Sequence, residues 1–329
     1  MKMTLSKNKE QWNGWIVSET NHNQFPQSFE WGEILRAEGR EVERYVFEFE
    51  GKIVAQIQLI HHRLLNGWTY SFAPKGPVLA KNYTGGIITN FKEFFRLNKL
   101  IFARVEPTYD LVRVNFPVAP VADVNPRATV LLDLNKTKEA LLAEMHAKTR
   151  YNIHLAQKKN LRIAEVKDIK ILMELMRQTG KRDGFHLHPN KHYAKILESN
   201  ISRQLVAYDS DRPVATAVFV GFGDTFTYLF GASDYASRQL MAPYLLQWEG
   251  IKMGKAGGYK YYDFFGIAPG ARDQGGDYVY DPKHKYAGIT RFKMGFGGDI
   301  AISPGTVDII IEKKMYWLYR ILRRLRRMI

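Results

Sequence analysis

The hydrophobic and polar positions of the chain follow two alternating periods, one typical of β-strands and one typical of α-helices. Residues 27–38 carry apolar side chains at helical spacing behind Ser28, which predicts a helix capped by that serine. Residues 44–64 form two strand-like runs around a Glu50-Gly51 turn, which predicts a β-hairpin. The same patterns predict a strand over 68–78, a helix over 87–98 and a strand over 99–107. This alternation indicates a mixed α/β protein.

The second half of the chain repeats this order of elements. The patterns predict, in order, a hairpin over 204–222, a strand over 226–234, a helix over 243–257 and a strand over 259–269. Pro243 suits the first turn of that helix, where its missing N–H costs nothing. A further helix over 136–161 is expected to join the halves. The halves share order more than identity, and this order indicates two copies of one α/β unit.

A hairpin, a strand, a polar loop, a helix and another strand form the centre of the GCN5-related acyltransferase fold. We therefore expect an α/β fold with mixed sheets and two tandem domains of this type, over 1–148 and 149–312. That fold commonly holds the pyrophosphate of coenzyme A on a glycine-rich loop at a helix N-terminus. The equivalent loop, SRQLMAP (237–243), contains no glycine and cannot approach a pyrophosphate as closely. We predict no cofactor and an acyl donor other than coenzyme A.

The net charge of the chain limits the kinds of molecule that it is expected to bind. The 329 residues include 48 Lys and Arg against 33 Asp and Glu, a formal net charge of +15. This balance favours a partner rich in negative charge, such as a nucleic acid, an anionic lipid or a phosphorylated substrate. Residues 313–329 predict a separate, basic amphipathic helix at the C-terminus. Such a helix either lies on an anionic surface or packs its apolar stripe on its own domain.

Several classes of protein are excluded by what the sequence lacks. It contains no cysteine, so it forms neither disulfides nor cysteine-based metal sites. The histidines at 61, 62, 186 and 188 have no carboxylate in register with them, and we predict no metal. The N-terminus shows no apolar signal region, and no run of 18 apolar residues occurs. We expect a cytoplasmic protein, with peripheral contact at the inner membrane face.

Seven segments, in order along the chain, resemble one known family. They are SFEWGEILRAEG, APKGPVL, FARVEP, TRYNIHLAQKKN, KRDGF, APYLLQWEGIKMGKAGGYKYYDFFGI and RFKMGFGG. Together they resemble the Fem family of peptidoglycan bridge-forming aminoacyltransferases, over about residues 25 to 310. Residues 150–260 contain no sustained heptad run, so the chain resembles the short FemX type, which lacks a coiled-coil insertion.

The resemblance implies two GCN5-like domains and a transferase that takes its amino acid from aminoacyl-tRNA. The implied acceptor is an amino group in the stem peptide of a peptidoglycan precursor, either UDP-linked or lipid-linked. A tRNA and a diphosphate-bearing acceptor would both suit the positive charge. Two rivals remain open: an acyltransferase that uses a coenzyme A donor, and a non-enzymatic module that binds a membrane or RNA.

Three residues carry the chemistry that the resemblance implies. Lys293 in RFK matches the family position that stabilises developing charge or the tRNA terminus, and Phe292 can stack on the terminal adenine. Read without the family, Lys293 is a strand lysine that reaches solvent. Glu106 stands where the FemX type carries a carboxylate that acts as base or substrate anchor. Its alternative is a surface ion pair with Arg104.

The remaining candidates are residues that would bind substrate. Arg36 lies where the family places a cation for acceptor phosphate, although an exposed helix face is the plain alternative. In the second domain, His188 stands where the family usually has Arg, and a neutral histidine is a weaker phosphate ligand. The full set of expected substrate-binding residues is Arg36, Lys75, His188, Tyr193, Arg238 and Tyr244.

Overall fold

The computed structural model describes residues 2–22, 25–64, 67–81, 100–108 and 117–326. Its strands are β1 (Lys2–Leu5), β2 (Glu41–Phe49), β3 (Lys52–Arg63), β4 (Thr69–Ala73), β5 (Val78–Leu79), β6 (Leu100–Val105), β7 (Val118–Pro120), β8 (Ala128–Asp133), β9 (Arg162–Val166), β10 (Ser202–Asp209), β11 (Arg212–Phe222), β12 (Thr225–Ser233), β13 (Tyr261–Asp263), β14 (Gly270–Arg272), β15 (Tyr278–Tyr280), β16 (Asp299–Ile302) and β17 (Val307–Ile310). Its α-helices are α1 (Lys9–Glu19), α2 (Phe29–Ala37), α3 (Lys138–Glu144), α4 (Ala147–Lys158), α5 (Ile169–Asp183), α6 (Asn190–Glu198), α7 (Ala242–Ala256), α8 (Ala287–Met294) and α9 (Lys313–Arg326). The predicted mixed α/β class is confirmed.

The chain divides into two compact units. Unit 1 comprises Met1–Thr20, Pro26–Arg127 and Ser303–Ile329. Its sheet runs in the order β1-β2-β3-β4-β6-β17-β7, with β5 paired to β3. The predicted hairpin is present as β2 and β3, and it turns through Glu50 and Gly51, whose φ angles of 50° and 76° suit a tight hairpin turn. β4 and β6 pair in parallel, so their carboxyl ends meet at one edge of this sheet.

Unit 2 comprises Asn21–Phe25 and Ala128–Ile302. Its main sheet runs in the order β16-β8-β13-β12-β11-β10-β9, and β14 and β15 form a separate ribbon. The second predicted hairpin is β10 and β11, followed by β12, α7 and β13 as expected. β12 and β13 are parallel, as β4 and β6 are in unit 1. The repeated order of elements in the sequence therefore appears as a repeated sheet topology.

Each sheet also contains a strand from a distant part of the chain. β17 comes near the end of the sequence, yet it pairs with β6 and β7 in unit 1. β8 pairs with β13 and β16 in unit 2. The chain therefore leaves unit 1 after Arg127 and returns to it at Ser303, whereas the sequence predicted domain limits at 148 and 312.

Two local expectations were wrong. The single helix predicted over 136–161 is two helices, α3 and α4. Met145 between them has an extended conformation, and His146 caps α4 by accepting from the Lys148 amide at 3.2 Å. RFKMGFGG is not a strand, because residues 291–294 complete α8. The inward positions of α8 are Ala287, Thr290 and Lys293, which follow a helical spacing of three. The predicted helix over 87–98 lies outside the described residues.

The core of unit 2 forms where α7 packs on the sheet. Leu246 and Ile251 of α7 lie in one apolar cluster with Phe219, Tyr262 and residues of β8. A Cβ at Gly250 would stand 2.5 Å from the Phe219 ring, so only glycine allows the helix to approach this closely. Within the described ranges, no helix combines the length and apolar character needed to cross a membrane.

In unit 1 a buried ion pair fixes β17 to the sheet. The Arg104 guanidinium of β6 donates two hydrogen bonds, of 2.8 and 2.9 Å, to the Asp308 carboxylate of β17. The Tyr316 hydroxyl of α9 donates to the same carboxylate at 3.0 Å. Arg104 and Asp308 are both buried. Because each charge is removed from water, each depends on its partner for compensation.

We expect Arg104→Met to reduce the free energy of unfolding by about 3–5 kcal/mol, because it leaves the buried Asp308 charge without its cation. The double variant Arg104→Met/Asp308→Leu should recover most of this loss, since it removes both charges. Urea unfolding followed by circular dichroism measures the three free energies of the cycle. A double variant as unstable as the sum of its single variants would contradict this account.

Candidate functional site

Lys293 of α8 is held by the loop that follows β13. Its Nζ donates to the carbonyl oxygens of Phe265 and Gly266, the second at 2.7 Å. Phe265 and Gly266 have φ angles of 45° and 67°, a left-handed turn that is unusual for a phenylalanine. The lysine thus lies at the carboxyl end of a parallel strand, the edge at which open α/β sheets commonly bind ligands.

The surroundings of Lys293 weaken its hold on a proton. Only 6% of the residue is exposed. Burial lowers the pKa of Lys293 to about 7, and the nearby Asp263 charge opposes that shift. The ammonium also lies 5.5 Å from the centre of the Tyr228 ring, within the range of a cation–π interaction. Near neutral pH this position therefore exists in both charged and uncharged forms.

Asp263, the last residue of β13, organises the turn that holds the lysine. It is completely buried, and its Oδ1 accepts hydrogen bonds from the Thr129 hydroxyl and, at 2.8 Å, from the Phe265 amide. Sequence reasoning missed this residue. The signal was present, because a carboxylate in the otherwise apolar and aromatic run YKYYDFFGI requires a polar partner when buried.

Phe292 and Tyr244 belong to one aromatic cluster. The ring of Phe292 packs edge-on against Tyr244 at 5.0 Å and against Phe296 at 5.3 Å. Both Phe292 and Tyr244 are half-buried, so part of each side chain remains in contact with solvent. The structure brings these two expected site residues together with each other and places Phe292 next to Lys293 on α8. Stacking of Phe292 on an adenine stays a prediction.

The loop before α7 bonds several of its own backbone amides. A 3₁₀ turn, Tyr235–Leu240, occupies it, and Met241 follows at a φ of 54°. The amide of Ala236 donates to the Asp234 side chain at 2.9 Å, and the amides of Ser237 and Met241 donate to backbone carbonyls of the same loop. Because these three N–H groups already have partners within the loop, they are not free to hold a pyrophosphate.

Arg238 projects from this 3₁₀ turn and is exposed. Its guanidinium stacks on the Tyr235 ring at 4.6 Å and donates to the Tyr235 carbonyl at 3.3 Å.

His188 and Tyr193 lie elsewhere in unit 2, where the His188 amide donates to the Tyr193 hydroxyl at 3.3 Å. Tyr193 is buried against Phe230, and burial raises the pKa of its hydroxyl. His188 itself is exposed, whereas Tyr193 is packed as a core residue.

Glu106 of unit 1 is buried, with 5% of its surface exposed. Its carboxylate accepts hydrogen bonds from the amide and the side chain of Asn125, both at 2.7 Å. It also accepts from the Lys75 amide and the Thr306 hydroxyl, both at 3.3 Å. The alternative of a surface ion pair with Arg104 is wrong, because Arg104 pairs with Asp308. Glu106 therefore holds three segments of unit 1 in place.

The structure brings Lys75 and Glu106 together, whereas Arg36 forms contacts within another part of unit 1. Lys75 is buried in the turn after β4, where its Nζ donates to the Pro126 carbonyl at 3.1 Å. Arg36 is exposed at the end of α2, and its guanidinium donates to the Val42 carbonyl at 3.1 Å and to Glu33 at 2.9 Å. Its bonds thus join α2 to β2. A role for either cation in substrate binding stays a prediction.

A histidine network in unit 1 was also missed from the sequence. The Ser71 hydroxyl lies 2.7 Å from one ring nitrogen of His61, and the other ring nitrogen lies 2.9 Å from Glu43. Ser71 is fully buried, which keeps it from acting as a nucleophile. In the described part of the chain, no three His, Asp or Glu side chains are arranged to hold a metal ion.

Comparison with known proteins identifies the family. The model of the FemAB family matches residues 115–206 and 199–324, which together span more than half of the chain. Aminoacyltransferase FemA of Staphylococcus epidermidis is 25% identical over 162 residues. That match covers 49% of this chain and 36% of FemA, so the chain matches only about a third of the length of this curated relative.

Solved structures show the same fold. The crystal structure of FemX superposes with a TM-score of 0.79 at 16% identity, over 97% of this chain and 99% of that one. A tandem GNAT protein from the clavulanic acid biosynthesis pathway superposes with a TM-score of 0.53 at 10% identity, over 94% and 98% of the two chains. The predicted fold of two tandem GCN5-related domains is confirmed by these neighbours. With the family model matched over most of its second unit, this chain belongs to the FemAB family.

Proposed function

We propose that the chain is an aminoacyltransferase that moves an amino acid from aminoacyl-tRNA to an amino group in the stem peptide of a peptidoglycan precursor. The observation that carries the proposal is the match to the FemAB family, which includes β12, α7, β13 and Lys293. The name of the FemA relative supports the same reaction type. The match covers only part of the FemA relative, so the proposal of these substrates is supported by the chemistry of the site and by the family resemblance.

The reaction joins an amine to an ester carbonyl. A C–N bond forms, the C–O bond to the tRNA ribose breaks, and the proton lost by the amine ends on the departing ribose oxygen. The carbonyl oxygen carries negative charge in the tetrahedral intermediate, and a fixed cation lowers the barrier to that state. A protonated Lys293 has three donors, of which two bond to Phe265 and Gly266. We assign the third to the developing oxyanion.

The choice of aminoacyl-tRNA over coenzyme A has two supports. Three amides of the loop before α7 bond within that loop, and the loop has no glycine that would let its backbone approach a pyrophosphate closely. The formal charge of +15 favours a large polyanion such as tRNA. Phe292, half-buried beside Lys293, then serves the terminal adenine of the tRNA as a stacking surface.

The acceptor and the location form the finer part of the proposal. We place the enzyme in the cytoplasm, in peripheral contact with the inner membrane face, with a lipid-linked precursor as the favoured acceptor. The basic helix α9 supports this location, because cations on an amphipathic helix attract anionic lipid. Arg36, Lys75, His188 and Arg238 are the proposed contacts to the acceptor phosphates or to the tRNA.

The experiment incubates the purified chain with a mixture of charged tRNAs and either the UDP-linked or the lipid-linked precursor. Mass spectrometry should show a gain of one aminoacyl residue on at least one acceptor. Ribonuclease should abolish the gain, and coenzyme A should neither support nor inhibit it. No mass gain on either acceptor would refute the proposal.

Lys293→Met should reduce kcat at least 100-fold, because removing one oxyanion donor costs about 10²–10³ in rate. The same change leaves two half-buried carbonyls without this donor, which should lower the free energy of unfolding by about 1 kcal/mol. The matched control is Arg291→Met on the exposed face of α8, which should retain activity and stability. Transfer rates measured well below the melting temperature of each variant separate the two effects. Equal activity in both variants would contradict the role of Lys293.

The pH profile tests the charge state of Lys293 in the free enzyme. A lysyl acceptor amine with a pKa of about 10 gains neutral form tenfold per pH unit. Below pH 7, kcat/KM should rise by that factor, because Lys293, with its pKa of about 7, stays protonated. Above pH 7, kcat/KM should level off, since the loss of the Lys293 proton offsets the gain in neutral amine. A continuous rise to pH 10 would show that the ammonium of Lys293 is not needed.

Glu106→Gln should raise the KM for the acceptor more than it lowers kcat. The carboxylate is occupied by four hydrogen bonds, so it positions the Lys75 turn instead of taking a proton. The control is Glu50→Gln in the exposed β2–β3 turn of the same unit. Steady-state kinetics with varied acceptor distinguishes the roles, and a fall in kcat at constant KM would identify Glu106 as the base.

A further inference from the structure

Helix α9 and the sheet of unit 1 enclose a pocket that the proposed transferase reaction does not use. Its volume is about 330 Å³, and it opens to solvent. Arg104, Asp308 and the segment 120–122 form its floor and one side, and the other side is α9. The residues that α9 contributes are Tyr316, Tyr319, Arg320, Arg323 and Arg324.

The pocket carries a surplus of positive charge. Arg104 and Asp308 neutralise each other through their bidentate ion pair on its floor. The charges that remain belong to Arg320, Arg323 and Arg324, which are all exposed. No carboxylate of the described residues forms an ion pair with these three arginines. Three guanidinium groups around one small cavity match a ligand with a compact, multiply oxygenated anion such as a phosphate.

Two tyrosines of α9 hold Arg320 and Arg323 at the pocket. Arg323 donates to the Tyr319 hydroxyl at 3.2 Å, and the Arg320 guanidinium lies 5.9 Å from the centre of the Tyr316 ring. Tyr316 is itself fixed by its hydrogen bond to Asp308. The ring of Tyr319 packs against Phe102 in a tilted arrangement, with ring centres 4.9 Å apart. The face of α9 that carries these tyrosines is thus anchored to the sheet, and Arg320 and Arg323 are held beside it.

The opposite face of α9 is apolar and remains in solvent. Trp317 is 68% exposed, and Leu318, Leu322 and Leu325 are 44%, 51% and 52% exposed. The three leucines follow the spacing of a single helical stripe. A phosphate backbone of RNA would neutralise the arginines but would leave this stripe in water. A membrane surface would satisfy both, because it combines phosphate head groups with an apolar interior.

We propose that α9 and this pocket form a docking site for an anionic phospholipid membrane. The phosphate of one lipid binds to Arg320, Arg323 and Arg324 at the open side of the pocket, where these side chains are exposed. Trp317 and the three exposed leucines enter the boundary between the head groups and the acyl chains, so that α9 lies parallel to the membrane plane. The inference deepens the proposed location at a membrane surface and rests on it, with a defined lipid group and a defined set of contacts.

The test measures co-sedimentation of the full chain with vesicles at 0.15 M salt, an ionic strength that screens surface charge over about 8 Å. Vesicles of phosphatidylcholine with about a third phosphatidylglycerol should bind the chain, whereas pure phosphatidylcholine should bind it weakly, because cationic segments gain affinity from anionic lipid. Arg320→Gln/Arg323→Gln/Arg324→Gln should reduce the affinity for the anionic vesicles about 100-fold, since each surface arginine contributes about fivefold. Trp317→Ser/Leu322→Ser should reduce it at least tenfold through lost apolar burial.

The matched control removes three charges elsewhere. Lys148→Gln/Lys158→Gln/Lys159→Gln changes exposed lysines of α4 and its C-terminus and gives the same net charge as the arginine variant. It should reduce vesicle affinity by less than about threefold, because these lysines belong neither to α9 nor to the lining of the pocket. Equal losses in both triple variants would show general charge attraction and overturn the proposal. Circular dichroism confirms that every variant is folded before vesicles are added.

Two further measurements distinguish a membrane phosphate from the phosphate of a soluble ligand or of RNA. Glycerol 3-phosphate that raises the melting temperature of the chain without any vesicle binding would indicate a soluble phosphate ligand and overturn membrane docking. Loss of tRNA binding in the arginine triple variant, with vesicle binding unchanged, would assign the site to RNA. The transfer assay with UDP-linked acceptor contains no membrane, so its failure and the failure of this proposal are distinguishable.

Discussion

The buried Arg104–Asp308 pair joins parts of the sequence that are 204 residues apart, and unit 1 depends on it. β17 contributes only four residues to the sheet, Val307–Ile310, and short strands make few ladder hydrogen bonds. The ion pair supplies a directional contact at a place where apolar packing alone would tolerate a shift in register. Because breaking such a pair leaves a charge in the interior, slipped registers of β17 are strongly disfavoured.

Unit 2 uses a related device at the corresponding place. There β8 lies beside the second parallel strand, β13, and the Thr129 hydroxyl of β8 donates to the Asp263 carboxylate of β13. In both units a polar side chain of the last parallel strand therefore holds the strand that arrives from elsewhere in the chain. In unit 2 the same aspartate also receives the Phe265 amide, so the bond that fixes the strand also shapes the turn around Lys293.

Much of the fold could be predicted from the sequence, because hairpins and amphipathic helices leave local patterns. The turns at Glu50-Gly51 and the cap at Ser28 are examples in which a few neighbouring residues determine the structure. The domain limits could not be found in this way. The residue patterns of β8 and β17 indicate strands but do not indicate which strands they pair with. Their partners, β13 and β6, lie far away in the sequence.

In the candidate site, too, local features could be predicted from the sequence and contacts between distant segments could not. The family resemblance identifies Lys293 but not its place on a helix, because the motif RFKMGFGG begins at residue 291 and contains only the last four residues of α8. The carbonyls of Phe265 and Gly266 left no signal in the sequence, since every residue carries the same backbone acceptor. Asp263 left a signal only as a carboxylate within an apolar and aromatic run. Glu106 was correctly placed at a strand end, but its burial and its four donors come from segments distant in sequence.

The lysine held by the turn after β13 also makes the protein an acceptor of protons. With a pKa of about 7, Lys293 is about half protonated at neutral pH. An anion that binds beside it raises that pKa, so binding draws a proton from solution, and by linkage a fall in pH strengthens binding. The binding of any anion beside Lys293 is thus tied to the acidity of the solution through one side chain and two carbonyl oxygens.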